Sequence, residues 1–518
     1  MKLLRLVVVP AALMLGAAPA LAQRWRPGDR VVITDFSHVT AVAAGRSMVY
    51  AVTTGGVISF DRRFNRWEQP MTHIDGMPDV AVSAALVDPA DESLWLATEN
   101  GVVHFQPQLR QVDVVQLGPV SDIMFDRDDP IQGLFVYMRG AWELLPRGGL
   151  LTMPGMSLPP VARRVRRQTL DDVLQRYAQV QAMAPTTLLD RRMRRYAFTA
   201  AAGVTGESEA YFGTDGLGLY RYDGLSARLE SLSFGLRHAS IGTAVPVPGG
   251  VWIGTNGDAN TPSIFARVAE DLSIRYEEGS ATSPRFQEVR DMLVRGFDLF
   301  AATEHGLIRF EMGGAWRTID VTNGLPGDRT FALANGSAGT WVGTDKGLGI
   351  FREPPVATVG ALGQAIYAVA PFRDSAWVGT SRGLRLAVAG QNELVIPDDV
   401  SAEPALSRPV VSVSRLIDTT VAATSDRIAW KGGRGTWVVE RPLPELGEIR
   451  TVTMDRGGAW IGGTRGFGFF AFEGHSFQGF TMPEDTPGPV NRIVPSGSFV
   501  WLATDGGLVR YVRRALEQ

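Results

Sequence analysis

The stretch GTWVGTDKGLGIF, Gly339–Phe351, decides the fold, because the chain repeats it. Near-copies read LWLATENGVVHF from Leu94, VWIGTNGDAN from Val251 and LFAATEHGLIRF from Leu299. Others read AWVGTSRGLRL from Ala376, AWIGGTRGFGFF from Ala459 and VWLATDGGLVRY from Val500. Within the quoted copy, Trp341–Thr344 alternates as a strand, Asp345–Gly347 supplies a tight turn, and Leu348–Phe351 returns as a second strand. An apolar strand precedes each copy, as in TFALANG from Thr330, and an aromatic-centred strand follows, as in AWRTID from Ala315. That makes four strands per unit.

Aligning the units on their first bulky residue gives Tyr50, Trp95, Phe135, Tyr211, Trp252, Phe300, Trp341, Trp377, Val421, Trp460 and Trp501. A period of about 40 residues with strand alternation excludes helical repeats and matches propeller blades. The fold class expected is therefore all-β: a β-propeller of about eleven four-stranded blades. Rings usually hold 4–8 blades, so two rings are the first expectation and one oversized ring the second. The last unit stops after its third strand, GLVRYV from Gly507, while DRVVITD from Asp29 is a surplus strand at the other end. Pairing the two would complete a shared blade and remove two exposed edges.

A threonine stands three residues after the bulky position at 53, 98, 214, 255, 303, 344, 380, 424 and 504. Its hydroxyl is placed to bond the turn backbone. The small residues before it, Gly254, Ala302, Gly343 and Gly379, imply close approach of neighbouring sheets.

Residues 1–22 read as an export signal: Lys2 and Arg5, an apolar core from Leu6 to Leu15, and Ala20-Leu21-Ala22 before Gln23. The expected location is periplasmic or secreted, with no membrane-crossing segment after cleavage. There is no cysteine, so disulfides and zinc thiolates are excluded. The formal net charge of −3 argues against nucleic-acid binding. Residues 23–156 and 197–518 are assigned to blades, with the ring boundary left open. Between them, residues 157–196 interrupt the repeat. The segment Val161–Tyr196 carries nine arginines against three aspartates. Thr169 with Asp172 predicts a helix start, Pro185 its end, and Leu170, Val173, Leu174, Tyr177 and Val180 one apolar face. Its arginines are either solvated or present Arg163, Arg164, Arg166 and Arg167 to an anionic protein partner.

No catalytic constellation stands out, and no enzyme activity, cofactor or metal is expected. The histidines at 38, 73, 104, 238, 305 and 475 form no ligand-spaced pair. The acidic runs Asp126–Asp129 and Asp88–Glu92 lack the pattern of a calcium loop. Gly379–Gly383 matches G-x-S-x-G, yet Ser381 fills a hairpin slot with no helix behind it. What remains is a surface. Turns between second and third strands open on the face where blades are linked, which gathers Glu99, Asn100, Asp215, Asn256, Glu304 and His305. The same face gathers Asp345, Lys346, Ser381, Arg382, Arg465 and Asp505. Variable side chains at one end of a rigid scaffold suit recognition of a ligand or protein partner.

GGVWIGTNGD, GTWVGTDKGLGIF and VWLATDGGLVRYV, with NGLPGDRTFALANG ahead of the second, resemble the two-component regulator propeller repeat. The resemblance implies exported propellers, commonly ligand-binding sensor portions of hybrid histidine kinases that detect oligosaccharides, and related propellers in secretion accessory factors. It spans nearly the whole chain apart from Val161–Tyr196. Such sensors continue into a membrane helix and a kinase, whereas this sequence stops at Gln518. The expected function is thus a non-catalytic, sensor-like binding module, with an envelope scaffold or secretion accessory as the alternative and a glycan-active enzyme third.

Overall fold

A computed structural model describes residues 25–517, apart from 27, 130–132, 147–157, 185–186, 191–192, 258–261, 278–282, 312–313, 353–356, 360–362 and 392. The export-signal reading lies outside the described residues. Eleven antiparallel sheets are described, and nearly all are four-stranded meanders.

Seven sheets form one closed ring. Their innermost strands are Ile241–Val247, Val289–Arg295, Thr330–Gly336, Ile366–Phe372, Ser412–Leu416, Ile449–Asp455 and Val490–Ser496. Each packs on the next, and the last packs on the first. The closing blade is built as expected from both ends of the chain. Arg30–Ile33 adds to Gly507–Val512 in antiparallel register, with Arg30 opposite Tyr511 and Ile33 opposite Leu508. Trp25 packs on Phe480 and Tyr511 and donates its indole N–H to Asp485 at 3.1 Å. Arg30 is buried and reaches the carbonyls of Glu484 and Ile74 and the carboxylate of Asp75.

The residues between that first strand and Ile241 build a second assembly of four blades. Its inner strands stand in the order Arg195–Gly203, Val39–Ala44, Val82–Val87 and Asp122–Asp126. The chain crosses between the assemblies twice, at 34–38 and 233–240, both times at the turn-bearing end. The crossings run side by side: the Leu236 N–H donates to the Thr34 carbonyl at 2.8 Å, and Phe36 stacks on Phe234.

Two blades depart from the four-strand expectation. The sheet Asp122–Pro146 has three meander strands, and Arg164–Arg166 pairs along the inner side of Asp122–Asp126 in place of an outer fourth strand. Thr187–Leu189 likewise adds to the inner side of Arg195–Gly203. Both additions come from the insertion and cover strand edges that would otherwise be open. Its helical part is two short helices, α1 (Leu170–Arg176) and α2 (Ala178–Met183), broken at Tyr177, where one helix was expected. Thr169 and Asp172 form the expected capping box. Val173, Leu174, Tyr177 and Val180 are buried against Ala201, Ala210, Phe212 and Tyr222 of the neighbouring blade. The insertion therefore covers the blade face that a further blade would occupy.

The expected close approach of sheets is present. A Cβ on Gly343 would stand 2.7 Å from the Ile366 carbonyl oxygen, and one on Gly379 2.7 Å from that of Val410. On Gly254 it would meet the Val289 side chain at 2.5 Å. Inner strands present backbone groups to the channel, and neighbouring side chains satisfy several of them. Asp291 accepts from the Leu333 N–H at 2.9 Å, Ser412 from Val452 at 3.1 Å, and Thr453 donates to the Ile493 carbonyl at 2.7 Å.

The recurrent threonine does what its position suggested. In all nine copies the hydroxyl donates to a carbonyl across the turn, for example Thr344 to Gly347 at 2.8 Å and Thr504 to Gly507. The same oxygen accepts turn N–H groups, as from Lys346 and Gly347. Thr344→Val keeps the shape and strands these partners in a buried turn. The expected loss is about 1–3 kcal/mol in denaturant unfolding, against less than about 0.5 kcal/mol for a Thr54→Val control at an exposed position.

Candidate functional site: the mouth of the seven-bladed ring

The mouth is shaped by a device that the repeat spacing does not reveal. At the start of six inner strands in this ring the pairing slips by one residue. Ile241 pairs with Thr255 and Thr243 with Gly254, leaving Gly242 unpaired. The same β-bulge frees Arg290, Phe331, Tyr367, Arg450 and Asn491. A bulge takes its residue out of the ladder and re-aims the side chain. Here neighbouring bulged residues meet one another. The Arg290 guanidinium lies 4.7 Å from the Phe331 ring centroid, and Phe331 meets Tyr367 edge-on at 5.5 Å. Arg450 donates to the Asn491 side chain at 2.6 Å, and Asn491 to the Ile241 carbonyl at 2.9 Å. One arc is thus aromatic and the other polar.

Three predicted turn residues are tied into this rim. Asp505 accepts from Arg450 at 2.9 Å, from Asn491 at 2.7 Å and from Ser240 at 3.3 Å. Asn256 accepts from the Val289 N–H and donates to Ser240. Glu304 accepts the N–H groups of Gln287 and Glu288. These side chains fix the loops that enter each next blade. Arg492 reaches Asp291 at 3.5 Å across the intervening blade, while the space at Gly242 is taken by the Val289 carbonyl and the Asn256 side chain. The hydroxyls of Thr243 and Thr451 are buried there with no partner among the described residues.

The other predicted positions are spread more widely. His305, Lys346, Arg382 and Arg465 are exposed at the second turn position of their blades. Asp345 and Ser381 continue the ladder, donating their N–H groups to the carbonyls of Arg329 and Ala365. Ser381 sits in the hairpin between Ser375–Thr380 and Gly383–Val388, so no nucleophile elbow exists. Glu99, Asn100 and Asp215 belong to the four-bladed assembly, where Asp215 meets His38 Nδ1 at 2.6 Å. His104 stacks on Trp95 at 4.0 Å and bonds Ser93, and His475 pairs with Glu440. No cluster of metal-ligating side chains occurs among the described residues.

The insertion arginines face their own blade. Arg163 forms a two-point bond with Asp126 and an ion pair with Asp128 at 3.1 Å. That hydrogen bonding holds the Asp126 carboxyl below the usual carboxylate range. Arg164 donates to the Pro159 carbonyl, Arg166 lies 5.0 Å from the Trp142 centroid, and Arg167 stands 3.5 Å from Asp122.

No family model and no curated protein matches the chain. Solved structures do. The Porphyromonas gingivalis surface component PorZ of the type-IX secretion system aligns at a TM-score of 0.57 and 11% identity, over 94% of this chain and 87% of that one. The extracellular domain of a hybrid two-component system from B. thetaiotaomicron aligns at 0.44 and 12%, over 91% and 70%. A virginiamycin B lyase from Staphylococcus aureus aligns at 0.43 and 14%, over 53% and 96%. At these identities the PorZ likeness shows the shared fold, and the other two alignments carry no argument. No helix among the described residues is long and apolar enough to cross a membrane.

Proposed function

We propose that this chain is an exported, non-catalytic β-propeller that binds a ligand or protein partner at the mouth of its seven-bladed ring. The observation that carries the reading is the bulge rim. A constant frame of threonine-locked turns presents residues of unlike type at one structural position: Arg290, Phe331, Tyr367, Arg450 and Asn491. Packing dictates the frame but not those side chains, and variable groups on a rigid scaffold are how propellers and loop-bearing folds recognise targets. The aromatic arc supplies ring faces and the polar arc planar hydrogen-bonding groups, a combination that suits an oligosaccharide-like ligand or the surface of a protein.

The test is binding by the Phe331→Ala/Tyr367→Ala variant, read on a glycan panel and by capture from envelope extract. Retained melting temperature with at least about tenfold weaker binding, near 1.4 kcal/mol, is the expected outcome. Undiminished binding of every target that the wild-type chain captures would remove the mouth from consideration. The side-by-side assemblies also favour a second reading, an envelope scaffold or secretion accessory, since the four-bladed unit offers a separate surface. Under that reading capture survives the mouth variant and fails when residues 35–238 are absent.

A further inference from the structure

At the end of the seven-bladed ring opposite the mouth, a cleft of about 610 Å³ opens between the blades that begin at Val289, Thr330 and Ile366. Arg295, Ser337, Gly339, Arg352, Asp374 and Gly390 are among its lining residues. The two arginines are held on either side of one short backbone segment. Arg352 Nε donates to the Ala338 carbonyl, and Arg295 Nη1 to the Thr340 hydroxyl at 3.3 Å. Each guanidinium carries five donors and spends one of them on a neutral acceptor. Neither meets a carboxylate within ion-pair distance among the described residues. Their neighbours differ: Arg309 pairs with Asp298 and Arg317 approaches Glu311. The single acid in the lining, Asp374, lies 3.2 Å from the Ser337 hydroxyl, whose shorter bond goes to the Arg373 carbonyl at 2.6 Å.

We infer that this cleft binds a doubly charged tetrahedral oxyanion: sulfate, phosphate or a phosphate monoester. Two guanidinium forks approaching from different blades suit a group with three or more oxygens and a double charge, whereas a carboxylate fills one fork. Ser337 adds a hydroxyl donor once its bond to the Arg373 carbonyl is exchanged. The site stands apart from the mouth, so its fate is independent of the function proposed there.

The experiment is calorimetric titration of the purified full chain at low ionic strength with sodium phosphate, sodium sulfate, methyl phosphate and sodium acetate. Phosphate and sulfate are expected to bind at one site in the millimolar range or tighter, weakening as salt rises, with acetate at least about tenfold weaker. Methyl phosphate separates the sources: binding equal to inorganic phosphate indicates an esterified group, and loss of binding a free anion, both within the oxyanion class. Arg295→Gln and Arg352→Gln each lower affinity about tenfold or more, while Asp374→Asn raises it several-fold by removing the opposing charge. Melting temperatures matched to wild type establish that the variants are folded. Absence of phosphate and sulfate binding at millimolar concentration, acetate binding equal to phosphate, or affinity unchanged in the Arg295→Gln/Arg352→Gln double variant would each overturn the assignment.

Discussion

A chain that begins at Asp35 loses the seven-bladed ring. Removing the preceding residues deletes the outer strand Arg30–Ile33 from the closing blade and leaves Gly507–Val512 paired on its Phe499–Thr504 side alone. Val31, Val32 and Ile33 are each about fully buried, in two different clusters. Their burial contributes about 5–9 kcal/mol on an area basis, comparable with the roughly 5–15 kcal/mol by which whole domains are stable. Trp25 and Arg30 go with them, leaving Asp485 buried without the indole donor it accepts from. The expected result is a species that melts at least 10 °C lower, on the order of what such a loss implies, and that aggregates through the bared edge. Equal melting curves for the truncated chain and the chain from Gln23 would show the strand to be dispensable.

Phe36→Ala is expected to have the next largest effect. This ring is fully buried in the first crossing between the assemblies, stacked on Phe234 at 5.9 Å and lying against the positions of Gly55 and Gly235. The cluster around it joins Val49 and Tyr211 of the four-bladed assembly to Val251 and Trp501 of the seven-bladed ring. Truncating a buried Phe costs about 3–5 kcal/mol. Because the cavity opens at the junction, the loss should also reduce cooperativity, with the single unfolding transition resolving into two in calorimetry. A destabilisation under about 1 kcal/mol would mean that the crossings are not the shared core described here.

Much of this architecture was legible because its causes are local. A tight turn needs glycine at positive φ, as at Gly347 and Gly383, and a hydroxyl to close it, so Thr344 and Thr380 mark each hairpin wherever it falls. Close sheet contact needs a missing side chain, so Gly343 and Gly379 announce it. Strand pairing at the closing blade followed from counting strands. Other features have no local cause. The bulge at Arg290 or Tyr367 adds one residue to a strand without glycine or proline to signal it. It shows only when inner strands are aligned on the β-branched residue that opens each (Ile241, Val289, Thr330, Ile366, Ile449 and Val490), whereupon the second position varies in type. The ring boundary was hidden because the crossings, at 34–38 and 233–240, are as short as ordinary links between blades. The ties of Arg163, Arg166 and Arg167 to their own blade were hidden because Asp126, Trp142 and Asp122 lie a blade away in sequence, and Arg166 and Arg167 stay exposed. The broken helix at Tyr177 had no proline or glycine to foretell it.

Closure of the ring by its first strand is directly measurable, because the chain has no native cysteine. Val32 and Val509 stand opposite each other in the closing register. With Val32→Cys and Val509→Cys introduced together, mild oxidation should yield one intramolecular disulfide, seen as a single crosslinked peptide by mass spectrometry, while Val32→Cys paired with Val378→Cys, in a separate core cluster across the ring, should not crosslink. Failure of the 32–509 pair to form in the folded chain, or equal crosslinking to both sites, would contradict the closure.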